Sequence, residues 1–133
     1  MRVLVDTSVW SRVLRPAGIA EPAARRLDAL LGKADVVLIG LVLQEVLQAF
    51  RSDATFRRVA RQLAAFPLLQ LDRAHYVAAA NLRRACAAAG IAASTADCQI
   101  AAAAIEHRCV LFTLDRDFAA IASRSGLRLM SVP

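Results

Sequence analysis

Apolar residues in this chain fall into two patterns that alternate along its length. Short unbroken runs are of the kind buried strands make: Val3 to Val5, "DVVLIG" from Asp35, "LLQL" after Pro67, "CVLFTL" from Cys109 and "LRLMS" from Leu127. Longer stretches between them have helical spacing. "TSVWSRVLR" predicts a short helix ended near Pro16, and "EPAARRLDALLG", Glu21 to Gly32, is bracketed by a first-turn proline and a closing glycine. "LVLQEVLQAFR" has the apolar density of a buried helix, while "ATFRRVARQLAAF" carries its arginines on one side. A long helix is expected from about Arg73 to Ala89, stopped by Gly90. Ser94 and Thr95 open "TADCQIAAAAIEH", where Ser94 with Asp97 fits the S/T-x-x-D/E capping pattern, and "DRDFAAIASRS" is a last helix closed by Gly126. Strands alternating with helices imply a parallel sheet covered on both faces, so the expected fold is one three-layer α/β/α domain over residues 1–133.

Composition fits that expectation and narrows the partners. A chain of 133 residues buries roughly two-thirds of its extended surface and needs no disulfide to fold. Apolar residues reach 58%, inflated by alanine, which suggests some surface waiting for a partner. No apolar run approaches the ~20 residues that span a bilayer. Asp6 also interrupts the N-terminal apolar stretch, which argues against a signal peptide. Cys86, Cys98 and Cys109 are odd in number and lack CxxC spacing, so they read as small buried hydrophobes in a reducing cytoplasm. The net charge is +6, and sixteen of the seventeen basic residues are arginine, Lys33 being the only lysine. A GC-rich codon bias would give that composition. So would a polyanionic partner, since guanidinium groups bind phosphate bidentately.

The acids decide more than the bases. In an open parallel sheet, ligands bind beyond the carboxyl ends of the strands. Asp6 follows the first strand directly, and Asp115 and Asp117 follow "VLFTL" onto the same rim. Glu45 borders the apolar stripe of its helix, and Asp97 lies in the first turn of the helix opened by Ser94. Each has a bland reading. Asp6 could cap the short helix after it, Asp97 could complement a helix dipole, and Asp115 could cap "RDFAAIA". Taken together, however, acids converging on one rim repel one another unless a cation neutralises them. Clustered oxygens without nearby lysine or histidine specify a hard ion, Mg²⁺ or Mn²⁺.

With these residues in place, the chain resembles the PIN-domain ribonucleases, and among them the VapC toxins of bacterial toxin–antitoxin pairs. The likeness rests on "VLVDTSVW", Glu45 within "LVLQEVLQAF", "STADCQIAAAA" around Asp97, and "LFTLDRDF", and it covers essentially the whole chain. It implies that Asp6, Glu45, Asp97 and Asp115 are the catalytic and metal-ligating acids, with Thr7, Ser8 and Thr113 orienting them. Asp117 matches a supporting acid, and the choice between it and Asp115 for the fourth ligand stays open. The resemblance further implies a sheet order of 3-2-1-4-5 over the five runs above, Mg²⁺-dependent cleavage of RNA, a homodimer, and a cognate VapB-like antitoxin. The chemistry is compatible. A divalent cation makes water a nucleophile at neutral pH, and a metal pair can stabilise attacking and leaving oxygens together, so no side-chain nucleophile is required. Setting the four proposed ligands aside leaves 17 basic against 7 acidic residues, a +10 scaffold suited to a polyanion.

Other features carry less. His75 and His107 are placed within helices away from the rim. Arg51, Arg57, Arg58 and Arg61 read first as a solvated helix face and second as an RNA track, and Trp10 and Phe50 as core or as a partner's groove. A haloacid-dehalogenase-type phosphatase would want a second aspartate where Ser8 stands, and a receiver-like signalling module would want adjacent acids and a late lysine. A P-loop is excluded by the absence of GK[ST]. The surviving alternatives are a housekeeping PIN nuclease without an antitoxin and a metal-dependent phosphatase of another α/β class.

Overall fold

A computed structural model describes residues 1–15 and 22–130. The chain runs β1 (Arg2–Val5), α1 (Thr7–Val13), α2 (Pro22–Leu31), β2 (Asp35–Val37), α3 (Gly40–Gln48), α4 (Asp53–Leu63), α5 (Arg73–Ala88), α6 (Thr95–Glu106), β3 (Val110–Phe112), α7 (Asp117–Ala122) and β4 (Arg128–Leu129). The four strands form one sheet in the order β2-β1-β3-β4, and every pairing is parallel. Successive residues of β1 point to opposite faces of the sheet, yet Val3, Leu4 and Val5 are all 0% exposed, so both faces are covered. That is the three-layer α/β/α arrangement expected from the alternation of runs.

The segment expected as a third strand, Leu68 to Leu71, is corrected to a single parallel bridge, Leu38 to Leu68. Leu38 N–H donates to Pro67 O at 2.9 Å, and Leu69 N–H donates to Leu38 O at 2.8 Å. The pairing cannot lengthen in either direction. In the register 38↔68, Leu69 would next need Ile39 and Gln70 would need Gly40, which already opens α3. Upstream, Pro67 has no N–H to give. The five-segment order 3-2-1-4-5 is therefore reduced to four strands flanked by a bridge. At the other edge, Met130 N–H reaches Leu111 O at 2.8 Å, and the expected end of the last strand at Ser131 lies outside the described residues. Pro16 and Glu21, the expected limits of the first two helices, also lie outside them.

Alanines set the position of α6. Ala101, Ala102, Ala103 and Ala104 are at most 3% exposed, and such small side chains let this helix approach the sheet and α5 closely. Its start is fixed by Ser94, whose Oγ accepts from Asp97 N–H at 3.0 Å, as the capping pattern predicts. Gly90 closes α5 at φ +78°, a left-handed conformation that glycine adopts without strain, and Ile91 N–H returns to Cys86 O at 2.8 Å. Trp10 is 4% exposed and packs on Phe66 with ring centroids 5.3 Å apart, and Phe50 packs half-buried against the core. Of the two readings of Trp10, core packing holds.

Candidate active site

Asp6 ends β1 by continuing the ladder, its N–H donating to Phe112 O at 2.9 Å. It then serves as the residue before α1, with its carbonyl accepting from Val9 N–H. Its carboxylate makes no capping bond to that helix. Instead, Ser8 Oγ and Thr113 Oγ1 each donate to Asp6 Oδ2 at 2.8 Å. The two hydroxyls are themselves held by the loop after β3: Leu114 N–H donates to Ser8 Oγ at 2.9 Å, and Asp115 N–H to Thr113 Oγ1 at 3.0 Å. Asp6 is only 4% exposed, and its Oδ1 has no donor among the described residues. A buried carboxylate fixed through one oxygen and open at the other is arranged to accept something further.

Beside it, Asp97, Asp115 and Asp117 each bring one carboxylate oxygen within 4.8 Å of the others. Two loop devices aim them. The Ser94 cap fixes the first turn of α6 around Asp97, and Asp115 Oδ1 accepts from Asp117 N–H at 2.9 Å, which locks the turn into α7. Asp115 is thus not the N-cap of α7, which is Arg116, but its side chain accepts the first N–H of that helix while lying in the cluster. The Asp97 carboxyl is pushed above its usual 3.8, first by burial and then by the negative charges of Asp115, Asp6 and Asp117, against a lowering bond from Ser94. No lysine, arginine or histidine forms an ion pair with these acids among the described residues. Three convergent carboxylates with no cationic side chain paired to them make a donor set that fits a hard divalent cation.

Asp6 is close enough to act on Asp97 electrically but is not one of the three within 4.8 Å. Glu45 also stands outside the trio. It joins the site through Thr7, whose Oγ1 donates to Glu45 Oε1 at 2.9 Å. The structure brings Asp97, Asp115 and Asp117 together with Asp6 close by, while Glu45 is tied to Thr7, the residue after Asp6. For Asp117, the signal available beforehand was its position two residues beyond Asp115, in the first turn of α7. His107 is the residue that ends α6, with Nε2 3.0 Å from Gln70 O, and His75 is fully buried near Glu106; neither touches the acids.

The fold and the sequence are shared with known proteins. Residues 3–124 match the PIN domain. The chain belongs to the PIN-domain family, and within it to the VapC group. It is 34% identical over 132 residues to Ribonuclease VapC11 of Mycobacterium tuberculosis, covering 97% of this chain and 98% of that one. Among solved structures, it superposes on VapBC2 from Rickettsia felis, bound to a DNA fragment from its promoter, with a TM-score of 0.81 at 16% identity, covering 98% of each chain. It also superposes on VapBC-5 from Mycobacterium tuberculosis, a member of the VapBC family of toxin–antitoxin systems, with a TM-score of 0.72 at 23% identity and 98% of each chain covered. These last two likenesses concern the fold.

Proposed function

We propose that the protein is a divalent-cation-dependent endoribonuclease, the toxin of a VapBC-type pair, using Mg²⁺ with Mn²⁺ as a substitute. The observation that carries this reading is the convergence of Asp97, Asp115 and Asp117 beside a buried Asp6. Asp6, Glu45, Asp97 and Asp115 form the catalytic set, with Asp117 as a further ligand candidate. When bound, the cation supplies an activated water and offsets the charge of the scissile phosphate. The chain's own residues do the positioning. Ser8 and Thr113 orient Asp6 so that Oδ1 faces outward, Thr7 fixes Glu45, and the Ser94 cap holds Asp97 at the rim. RNA as substrate is supported by the VapC relatives and by the +10 scaffold around the acids. A VapB-like antitoxin, supported by the VapBC neighbours, keeps the enzyme silent. In this reading the active form is a cytoplasmic homodimer.

The test is hydrolysis by purified protein with Mg²⁺ or Mn²⁺ against a broad panel of structured RNAs and a set of small phosphomonoesters. Internal cuts in RNA, lost in Asp6→Ala, are expected. Intact RNA together with hydrolysed phosphomonoesters would give the site to a phosphatase.

A further inference from the structure

Beside the acidic rim lies a cavity that none of the site residues discussed above explains. It has a volume of about 420 Å³ and lies between α5 and α6, lined by Tyr76, Ala79, Ala80, Arg83 and Arg84 on one side and by Thr95, Cys98 and Gln99 on the other. Its α6 wall is the first turn and a half of the helix that carries Asp97, so one end of the cavity adjoins the rim. Spacing explains the other wall. Residues 76, 80, 83 and 84 recur at helical intervals, which puts ring, small floor and guanidinium groups along one stripe about 12 Å long.

The chemistry of that stripe points to one class of occupant. Arg83 and Arg84 are exposed and make no hydrogen bond or ion pair among the described residues. Between Arg73 and Ala88, α5 contains no acid to neutralise them. Tyr76 is 51% exposed, while its ring is steadied by an edge contact with buried His75, at 4.9 Å between centroids and 78° between planes. Two uncompensated guanidinium groups call for anions at about the spacing of adjacent side chains. A steadied, open aromatic ring calls for a flat partner, and the alanine floor leaves room for it. Phosphates joined by short linkers that carry flat bases meet all three demands, whereas an apolar peptide would leave both charges unpaired.

We propose that the α5–α6 cavity is a subsite for the single-stranded stretch of RNA flanking the cut, with Arg83 and Arg84 on its phosphates and Tyr76 stacking against a base. The subsite rests on the endoribonuclease reading above. It makes the strand run from the rim past Thr95 along α5, and it gives the arginines of α5 a different role from those of α4, where Arg57 and Arg58 are also exposed but do not line this cavity.

The experiment measures binding of a fluorescein-labelled twelve-nucleotide uridine strand by anisotropy, without divalent metal, across a salt series. The proteins are the wild-type full chain, Arg83→Ala/Arg84→Ala, Tyr76→Ala, and Arg57→Ala/Arg58→Ala as the basic control. Because the altered side chains are exposed, melting temperatures should stay at the wild-type value and certify folding. The Arg83/Arg84 pair is expected to weaken binding at least ten-fold and to lower the slope of log affinity against log salt by about 1.4, some 0.7 for each phosphate contact on a single strand. Tyr76→Ala should weaken binding about five-fold or more with the slope unchanged. The α4 control should bind within two-fold of wild type. Wild-type affinity in the Arg83/Arg84 variant overturns the subsite while leaving the nuclease reading intact. Wild-type RNA affinity in that variant combined with lost antitoxin binding overturns it in favour of a protein surface. A wild-type protein that neither binds the strand nor cuts any RNA removes the nuclease reading and the subsite together.

Discussion

Among the described residues, two polar side chains are buried, Asp6 at 4% exposed and His75 at 0%, and their surroundings have little in common. Asp6 receives two hydroxyl bonds of 2.8 Å from residues that are themselves anchored by backbone N–H groups of the loop after β3. His75 has no hydrogen bond to either ring nitrogen; Nδ1 lies 3.4 Å from Glu106 Oε2, and the ring packs edge-on against Tyr76. One group is held by a network that spans more than a hundred residues of sequence. The other is held by packing. The difference teaches that burial of a polar group does not by itself mark a site; what marks it is a supporting network that leaves one functional atom open.

The largest effect should come from the open side of Asp6 and its neighbours. Asp6→Ala and Asp97→Asn are each expected to drop RNA cleavage to the background rate, measured by gel under single-turnover conditions. Next come the supports. Ser8→Ala or Thr113→Val keeps every carboxylate but frees Asp6 to rotate, and a loss of about 10–100-fold in cleavage is expected, with most of it appearing as weaker metal activation. If Thr113→Val cut at the wild-type rate, the network would be structural only and the comparison would collapse.

How far the sequence reaches follows the same division. The strand and helix alternation, the Ser94 cap and the rim position of Asp6, Asp97 and Asp115 are local: each is set by neighbours within a few residues, so each is legible in the chain. The third strand was not, because its length depends on which residue of β2 meets Leu68, and that register runs into Gly40 and Pro67. The roles of Ser8 and Thr113 were suggested only by family likeness, since Thr113 reaches Asp6 across 107 residues of sequence and Ser8 is held by Leu114, 106 residues away. The proximity of Asp117 to Asp97 was not legible either, because it depends on how α6 and α7 pack. The arginine-lined cavity was hidden for the same reason, since it exists only once α5 is laid against α6.

A smaller effect, on stability, sharpens the comparison from the rim. The Asp97 carboxyl holds its proton more tightly folded than unfolded, so its contribution is fully present below the unfolded value of about 3.8 and is lost as pH rises through the higher folded value. At neutral pH without metal, Asp97→Asn should therefore melt a few degrees above wild type, and the two curves should meet in acid. A lower melting temperature for the variant at neutral pH would make Asp97 a structural cap. The smallest effect is expected at the other buried group. His75→Phe keeps the shape and removes two unsatisfied nitrogens, so cleavage should be unchanged and the melting temperature equal or slightly higher. Lost cleavage would mean that the His75–Glu106 contact positions α6.

The central claim is that the acids at the carboxyl ends of the strands form one divalent-cation site. Calorimetric titration of Mn²⁺ into the metal-free protein tests it directly. Saturable binding is predicted for wild type and for His75→Phe, with loss of that binding in Asp97→Asn and in Asp115→Asn. Equal Mn²⁺ binding in all four proteins, or none in wild type, would contradict it.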